Sequence, residues 1–169
     1  MIRLGREFYS QRATEAAFLL LGKLLCVNRG GHILRERITE TECYFGETDS
    51  ACHASRGKKP RCSMLYEAGG RAYVYLCYGI HEMMNVVTGP EGFPEAVLIR
   101  GVSGAEGPGR LTKLLGVDRS MNGEDLISSG RLWIEDDGTR SEYKVFKRVG
   151  IDYAAKDDRE RLWRFRALQ

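Results

Sequence analysis

Three short segments of this chain hold most of the side chains that could do chemistry. Glu42 lies at the end of a predicted strand, His53 follows eleven positions later, and residues 73–78 include three tyrosines. The basic residues between His53 and the tyrosines are Arg56, Lys58, Lys59 and Arg61. A carboxylate, a histidine, aromatic faces and positive charge together favour chemistry on a nucleobase held between aromatic rings.

Glu42 is the first candidate for a catalytic group. A carboxylate that a strand carries into a dry pocket acquires a raised pKa and can act as a general base. Arg100, at the end of a predicted strand over residues 95–100, could pair with Glu42 and hold a water molecule between them. The alternative is structural, with Glu42 as an edge-strand carboxylate and Arg100 as a surface arginine.

The tyrosines are candidate platforms for a base. Stacking on an aromatic face contributes about 1–3 kcal/mol per base, which Tyr44 and Tyr75 could provide. Tyr78 precedes Gly79 at a predicted turn, where a ring can project and wedge into a base stack. Tyrosines in strands are equally typical of a packed core, and we interpret Tyr73 in that way.

Two polar side chains could contact the base itself. His53 could donate a hydrogen bond to it, and Asn85, near the tyrosine strand, could read a base edge. Either residue could instead satisfy a structural hydrogen bond. Gly107-Pro108-Gly109 precedes a predicted helix and is either an anion-binding helix start or a plain loop. It lacks the G-K-[ST] ending of a nucleoside triphosphate site.

The distribution of charge points to a polyanion. The net charge is only +3, but residues 53–75 hold five Lys or Arg against one Glu, and residues 140–169 hold nine against five acidic residues. Two basic regions on a nearly neutral body are typical of a nucleic-acid footprint. A solvated surface is the alternative.

The five cysteines are an odd number and include no C-x-x-C pair. This favours free thiols packed as small hydrophobic side chains over a disulfide framework. The spacing of Cys43, Cys52, His53 and Cys62 matches no standard zinc motif. We expect neither a metal nor a cofactor.

Length and composition predict one domain spanning residues 1–169. The chain is 43% hydrophobic and 29% charged, as is usual for globular proteins. Its charged N-terminus is unlike a signal peptide, and its longest apolar run, residues 16–21, is too short to cross a bilayer. We therefore expect no membrane contact and a cytoplasmic location, associated with the nucleoid in a bacterium.

The residue pattern predicts an α+β fold with a curved, mostly antiparallel β-sheet surrounded by several helices. Thr14 is placed to cap a helix that continues to Leu25. Gly30-Gly31 predicts a hairpin turn between strands at residues 24–28 and 33–42. Further strands are expected at residues 72–77, 85–88, 95–100, 132–135 and 162–168, a helix at residues 110–115, and a long loop at residues 46–70.

The two-residue period of a strand gives a specific expectation for Glu42. Counted back along residues 33–42, Glu42 should share a face with Leu34 and Ile38. Glu36 and Glu40 fall on the same face, so burial must vary along the strand.

Taken together, these segments resemble the alkyladenine (3-methyladenine) DNA glycosylase family of mammals and many bacteria. Glu40-Thr41-Glu42-Cys43-Tyr44 corresponds to the family's E-T-E-A-Y, and Tyr73-Val74-Tyr75-Leu76-Cys77-Tyr78-Gly79 to its Y-V-Y-x-x-Y-G. Further collinear matches are His53, Ser55-Arg56-Gly57, Pro60-Arg61, Asn85, residues 97–100, Gly107-Pro108 and Arg148-Val149-Gly150-Ile151. The resemblance therefore covers almost the whole chain.

The resemblance implies a monofunctional glycosylase that initiates base excision repair. Such an enzyme flips damaged purines out of double-stranded DNA and hydrolyses the N-glycosidic bond without a cofactor. We expect a monomer, because one face suffices to contact the minor groove. The implied lesions are 3-methyladenine and 7-methylguanine, with hypoxanthine and ethenoadenine as further candidates.

The resemblance also assigns roles by position. Glu42 would activate the attacking water, and Arg100 would help to position it. Tyr44, His53, Tyr75 and Asn85 would form the base pocket. Tyr78, Ile80 and His81 would enter the minor groove, with Tyr78 as the intercalating wedge. The backbone contacts would be Arg56, Lys58, Lys59 and Arg61.

The chain departs from the family pattern at Cys43, where alanine is common, and at His81, where an aromatic residue is expected. The loop between His53 and Arg61 is one residue shorter than in the mammalian type. Two other function classes stay open. A single-strand-binding module would not need Glu42, and a hydrolase of free nucleosides would not need Tyr78 or the basic loop.

Overall fold

The computed structural model describes residues 1–168, and its main feature is a ten-stranded antiparallel β-sheet. Gln169, the last residue of the predicted domain, lies outside the described residues. The strands are β1 (Ile2–Arg3), β2 (Leu24–Arg29), β3 (His32–Phe45), β4 (Ala72–Cys77), β5 (His81–Val87), β6 (Glu95–Val102), β7 (Ala105–Glu106), β8 (Leu132–Asp136), β9 (Tyr143–Phe146) and β10 (Arg164–Ala167).

Short helices cover this sheet. They are α1 (Arg6–Tyr9), α2 (Ala13–Leu19), α3 (Pro108–Leu115) and α4 (Lys156–Glu160), with 3-10 helices at His53–Arg56, Pro60–Tyr66 and Arg119–Met121. The predicted α+β class is confirmed. Among residues 1–168, no helix is both long enough and apolar enough to cross a bilayer.

The long strand β3 is the centre of the sheet. The sheet order is β1-β8-β2-β3-β6-β5-β4, with all pairs antiparallel. The first half of β3 pairs with β2, and its second half pairs with β6 on one side and β10 on the other. Glu42 therefore lies in a strand with neighbours on both sides, not on an edge strand.

A β-bulge decides which way Glu42 faces. The pairing of β3 with β6 is irregular between Ile38 and Thr41. Ile38 and Cys43 are five positions apart, yet both lie in the main hydrophobic core, and the Thr41 hydroxyl donates to the Ala17 carbonyl of α2. A bulge reverses the alternation of faces along a strand. The expectation that Glu42 shares a face with Ile38 was therefore wrong, because Glu42 points away from the main core.

Helix α2 is shorter than its sequence pattern predicts. It ends at Leu19, and Leu24 and Leu25 belong to β2. The chain turns at Gly22, whose φ is 85°, in the left-handed region that favours glycine. Pairing of β2 with β3 and β8 thus outweighs the helical tendency of the leucine run.

The predicted Thr14 cap was also wrong. The N-cap residue is Arg12, with no capping side chain of its own. Instead, the Ala13 N–H donates to the buried carboxylate of Glu95 on β6. A residue distant in sequence caps this helix, which no local pattern could reveal.

The other predicted strands and helix α3 agree with the structure except at their ends, whereas the long loop predicted at residues 46–70 contains the 3-10 helices His53–Arg56 and Pro60–Tyr66. The strand predicted at residues 85–88 begins at His81, the strand predicted at 162–168 spans Arg164–Ala167, and the helix predicted at 110–115 begins at Pro108. The short strands β1, β7 and β9 and the helices α1 and α4 were not predicted. All five cysteines are unbonded, and only Cys77 is not buried.

The N-terminal helix α1 is tied to the sheet through a close backbone approach at Gly69. The Gly69 N–H donates to the Gly89 carbonyl at 3.0 Å, and the Gly89 N–H donates to the Tyr9 carbonyl at 2.9 Å. A Cβ on Gly69 would overlap the Tyr9 carbonyl oxygen. Because that oxygen belongs to backbone, a flexible side chain cannot move aside to make room.

We expect Gly69→Ala to lower the free energy of unfolding by about 3 kcal/mol, the upper end of ordinary overpacking costs. Urea denaturation followed by circular dichroism measures this change. Gly130→Ala is the matched control, since nothing lies within 4 Å of its added Cβ. Equal stability of the two variants would contradict the packing seen at Gly69.

Candidate active site

One row of residues across the sheet organises the candidate site. Glu42 on β3 lies opposite Leu98 on β6, Leu98 opposite Asn85 on β5, and Asn85 opposite Tyr73 on β4. Residues directly opposite one another in a sheet share a face. Arg100 is two positions from Leu98 and shares the same face. The strand register thus brings together side chains from four separate parts of the chain.

A cavity of about 490 Å³ opens on this face. Tyr44, His53 and Tyr75 line it with their rings, and the ring centroids of His53 and Tyr75 are 4.5 Å apart. The buried lining residues include Asn85, Ala96 and Leu98, and the exposed ones include Arg61, Tyr78 and Tyr153. The four residues predicted for the base pocket, Tyr44, His53, Tyr75 and Asn85, therefore line one cavity.

Tyr73 fixes the histidine of this cavity. Its hydroxyl lies 2.8 Å from His53 Nδ1 and 3.4 Å from the Arg61 carbonyl oxygen. Burial, and then the charge of Arg61, lower the pKa of His53, so the ring is neutral near pH 7 with one donor and one acceptor nitrogen. Tyr73 is buried, as a core tyrosine should be, but sequence reasoning missed its contact with His53.

Asn85 is held from inside the sheet. Its side-chain amide nitrogen donates to the Tyr73 carbonyl oxygen at 3.1 Å. Because this bond spans the β4–β5 pair, the amide has a fixed orientation at the buried end of the cavity.

Glu42 is fully buried and makes three polar contacts. Its Oε1 accepts the Val149 N–H at 3.0 Å and lies 3.1 Å from Arg100 Nη1, while its Oε2 accepts the Tyr44 hydroxyl at 2.9 Å. Glu42 is not itself part of the cavity lining, but Tyr44, Arg100 and Val149 all are. The carboxylate therefore lies directly behind the cavity wall.

The electrostatics at Glu42 are a balance of opposing effects. Burial raises the pKa of the carboxyl group above its ordinary value, because a charge without water is disfavoured. The Arg100 charge, the Val149 N–H, the Tyr44 hydroxyl and the Arg148 charge each oppose that rise. A raised pKa in a carboxylate at a cavity is typical of a general base.

The segment that supplies the Val149 N–H is anchored by Arg148. This buried guanidinium pairs with Asp49 through two hydrogen bonds of 2.7 and 2.9 Å and also donates to the Cys43 carbonyl oxygen. Its Cζ lies 5.0 Å from the centroid of the Tyr44 ring. Arg148 thus contacts Tyr44 directly and positions Val149 against Glu42, a role that sequence reasoning missed, although residues 148–151 were part of the resemblance.

Tyr78 projects from a tight turn between β4 and β5. Tyr78 and Gly79 have φ values of 52° and 66°, and the Ile80 N–H donates to the Cys77 carbonyl at 3.1 Å. Positive φ at both central residues is the pattern of a type I′ turn. A left-handed conformation costs a residue such as tyrosine about 1–2 kcal/mol. Tyr78 holds it with 87% of its surface exposed.

The other two predicted minor-groove residues lie beside Tyr78. Ile80 is 73% exposed, an unusual position for an isoleucine. His81 is exposed, and its ring lies close against Gly109 in the first turn of α3. The turn therefore presents an exposed aromatic and an exposed aliphatic side chain at the rim of the cavity.

The two basic regions of the sequence differ in how many of their cations form ion pairs. Arg56, Lys58, Lys59 and Arg61 are exposed, and none forms an ion pair among residues 1–168. In the C-terminal region the paired residues are Arg140, Lys147, Arg148, Arg161, Arg164 and Arg166. Within the described part of the chain, all four cations of the loop next to the cavity are thus unpaired, whereas six of the nine cations in residues 140–169 form ion pairs.

Comparison with known proteins identifies the family of this chain. Two segments, residues 7–106 and 102–169, match the family described as methylpurine-DNA glycosylase. A protein of Borreliella afzelii named "Putative 3-methyladenine DNA glycosylase" is 41% identical over 96% of this chain and 94% of its own length. Proteins of the same name from Psychrobacter cryohalolentis and Methanocella arvoryzae are 42% and 38% identical, over 94% and 96% of this chain and 89% and 90% of their own lengths. The chain belongs to the methylpurine-DNA glycosylase family.

Proposed function

We propose that this protein removes alkylated purines from double-stranded DNA by flipping the damaged nucleotide into the cavity and hydrolysing its N-glycosidic bond. The proposed substrates are 3-methyladenine and 7-methylguanine, with hypoxanthine and ethenoadenine as further candidates. One domain and one copy of the chain would suffice, because the cavity and its rim come from a single chain. No cofactor enters the proposed reaction.

The observation that carries the proposal is a cavity walled by aromatic rings with a buried carboxylate directly behind it. Tyr44 and Tyr75 offer π-faces to a flipped base, and an alkylated purine is a cation that such faces attract. Flipping costs a few kcal/mol and is cheapest for damaged or mispaired bases, so selection begins before the chemical step. Asn85 at the buried end of the cavity would obstruct the 2-amino group of undamaged guanine.

The hydrogen bonds of Glu42 identify the atom that would take the proton. A carboxylate oxygen has two acceptor sites. Oε1 accepts the Val149 N–H and faces the Arg100 charge at 3.1 Å, whereas among residues 1–168 Oε2 accepts only the Tyr44 hydroxyl. We therefore assign Oε2 as the base. Water entering from the cavity would lose a proton to Oε2 while its oxygen bonds to C1′, and the purine would leave with the electrons of the broken C–N bond.

The rim of the cavity would hold the duplex. Tyr78 would fill the gap left by the flipped nucleotide, with Ile80 and His81 beside it in the minor groove. The unpaired charges of Arg56, Lys58, Lys59 and Arg61 would contact phosphates. This arrangement favours a duplex substrate over a free nucleoside, which would need neither the wedge nor the charges.

We expect Glu42→Gln to slow the release of 7-methylguanine from a duplex by about 10²- to 10⁴-fold, the usual contribution of a general base. Single-turnover assays without added metal measure this rate, and duplex affinity should be retained. Glu15→Gln, an exposed carboxylate in α2, is the control and should release the base at the wild-type rate. Undiminished release by Glu42→Gln would remove the proposed mechanism. No release by the wild-type protein, with duplex binding intact, would leave a binding module.

We expect Tyr78→Asn to separate stability from activity. Asparagine adopts the left-handed conformation more easily than tyrosine, so the free energy of unfolding should rise by about 1 kcal/mol. Release of 7-methylguanine from a duplex should slow, because the wedge is gone. Thermal unfolding and single-turnover release measure the two effects, and unchanged duplex activity would rule out the wedge role.

We expect the double variant Lys58→Gln/Lys59→Gln to weaken the salt dependence of duplex binding. Each phosphate contact contributes a slope of about −0.9 in log K against log salt, so losing two contacts should reduce the slope by about 2. Fluorescence anisotropy at several salt concentrations measures it. Lys144→Gln/Lys156→Gln removes the same charge from the C-terminal region and should leave the slope unchanged. Equal slopes for the two double variants would refute the assigned footprint.

A further inference from the structure

Four charged side chains of alternating sign form a row from β10 to Glu42, the candidate base. Arg164 Nη1 on β10 lies 2.9 Å from Glu40 Oε1, the same oxygen lies 3.6 Å from Arg100 Nε, and Arg100 Nη1 lies 3.1 Å from Glu42 Oε1. Arg100 is therefore placed between two carboxylates, and only one of them belongs to the proposed reaction. Glu40 has no role in the mechanism given above.

The pairing of Arg164 shows that Glu40 competes for positive charge. In the β10–β3 ladder the residue directly opposite Arg164 is Glu42, not Glu40. The Arg164 guanidinium nevertheless donates to Glu40, and its Nε donates to the Lys147 carbonyl oxygen at 2.7 Å. Glu40 thus draws toward itself a cation whose own backbone position faces Glu42.

The β-bulge makes room for this second carboxylate. It places Glu40 opposite Gly101 and next to Arg100. A Cβ on Gly101 would lie 3.3 Å from the Glu40 Cβ and 3.0 Å from the Thr39 hydroxyl oxygen. Any larger residue at position 101 would therefore crowd Glu40, so the irregular pairing and the glycine act together.

Burial makes these charges effective at a distance. The side chains of Glu40, Arg100 and Arg164 are 14, 15 and 20% exposed, and that of Glu42 is fully buried. Partly buried charges are screened much less than surface charges. The Arg100 Nε is buried and has no hydrogen-bond partner among residues 1–168, as expected for a guanidinium held in an intermediate position between two acceptors.

We infer that Glu40 is a positioning residue for the glycosylase reaction: partly neutralised by Arg164, it holds the Arg100 guanidinium between two carboxylates and prevents it from closing fully over Glu42. This inference rests on the proposed role of Glu42. If Arg100 closed over Glu42 with both nitrogens, it would occupy the remaining acceptor site on Oε2 and leave no place for water.

The two partners of this arrangement should have opposite effects. Without Glu40, the positive charges of Arg100 and Arg164 both stabilise the ionised form of Glu42, and the pKa of its carboxyl group falls. Without Arg164, the full charge of Glu40 draws Arg100 away and repels the Glu42 carboxylate. The other groups facing Glu42 stay the same in both variants: the Tyr44, Tyr75 and Tyr153 hydroxyls, the Val149 N–H and the Arg148 guanidinium.

The test is the pH dependence of 7-methylguanine release in single turnovers. A base must be deprotonated, so the rate falls as pH decreases through its pKa, and burial places that fall above the ordinary range of glutamate. We expect the midpoint of this decrease in rate to shift by about half a pH unit or more, to lower pH in Glu40→Gln and to higher pH in Arg164→Gln. The double variant should lie near the wild type. A purely structural role would lower the rate at every pH and leave the position of the fall unchanged.

Glu124→Gln is the matched control, because Glu124 pairs with Arg131 at 3.2 Å and neither residue lies in β3, β6 or β10. Titration of the Glu42 carboxyl group by ¹³C NMR, assigned with Glu42→Gln, gives the same shifts independently of catalysis. If the Glu42 carboxyl group titrated at the same pH in Glu40→Gln and Arg164→Gln as in the wild type, the inference would be overturned and the proposed function left intact. Undiminished base release by Glu42→Gln would instead overturn the proposed function.

Discussion

The removal of the Glu42 carboxylate from water is the constraint on which the rest of the site depends. Burying an ionised carboxylate costs roughly several kcal/mol unless it is paired and hydrogen-bonded. Arg100, the Val149 N–H and the Tyr44 hydroxyl meet that need from three different parts of the chain. Each of these groups also lines the cavity. The contacts that make the buried charge tolerable are therefore the contacts that join it to the proposed substrate.

This constraint explains the buried ion pair of Arg148 and Asp49. The Val149 N–H can stabilise Glu42 only if the segment after β9 is held in place, and the adjacent Arg148 holds it through Asp49 and the Cys43 carbonyl. A buried ion pair is weak evidence of net stabilisation, because desolvation offsets its attraction. In this protein the Arg148–Asp49 ion pair matters for geometry, because it positions the Val149 backbone and holds Arg148 against the Tyr44 ring.

The same logic separates the charges of this protein into two groups. Away from the cavity, most arginines of the C-terminal region are neutralised by carboxylates and tie strands together. Beside the cavity, Arg56, Lys58, Lys59 and Arg61 have no ion-pair partner among residues 1–168. The unpaired charge of this loop is the basis for proposing it as the surface that attracts a polyanion.

The sequence by itself determined the fold class, the positions of most strands along the chain and the residue types of the site. The Gly30-Gly31 hairpin, the turn at Tyr78-Gly79 and the tyrosines of β4 follow from local propensity and spacing. The family was recognisable because its motifs are collinear over almost the whole chain. None of these features requires knowledge of contacts between distant residues.

Only the tertiary structure decided how those residues act together. The bulge in β3 reversed the face that periodicity assigned to Glu42, because an extra residue in a strand shifts every later side chain to the other side. Glu95 replaced Thr14 as the cap of α2, and Tyr73, Arg148 and Glu40 acquired contacts that no local pattern contains. Which carboxylate is buried, and which arginine it faces, depends on strand register, and register is set by packing over the whole sheet.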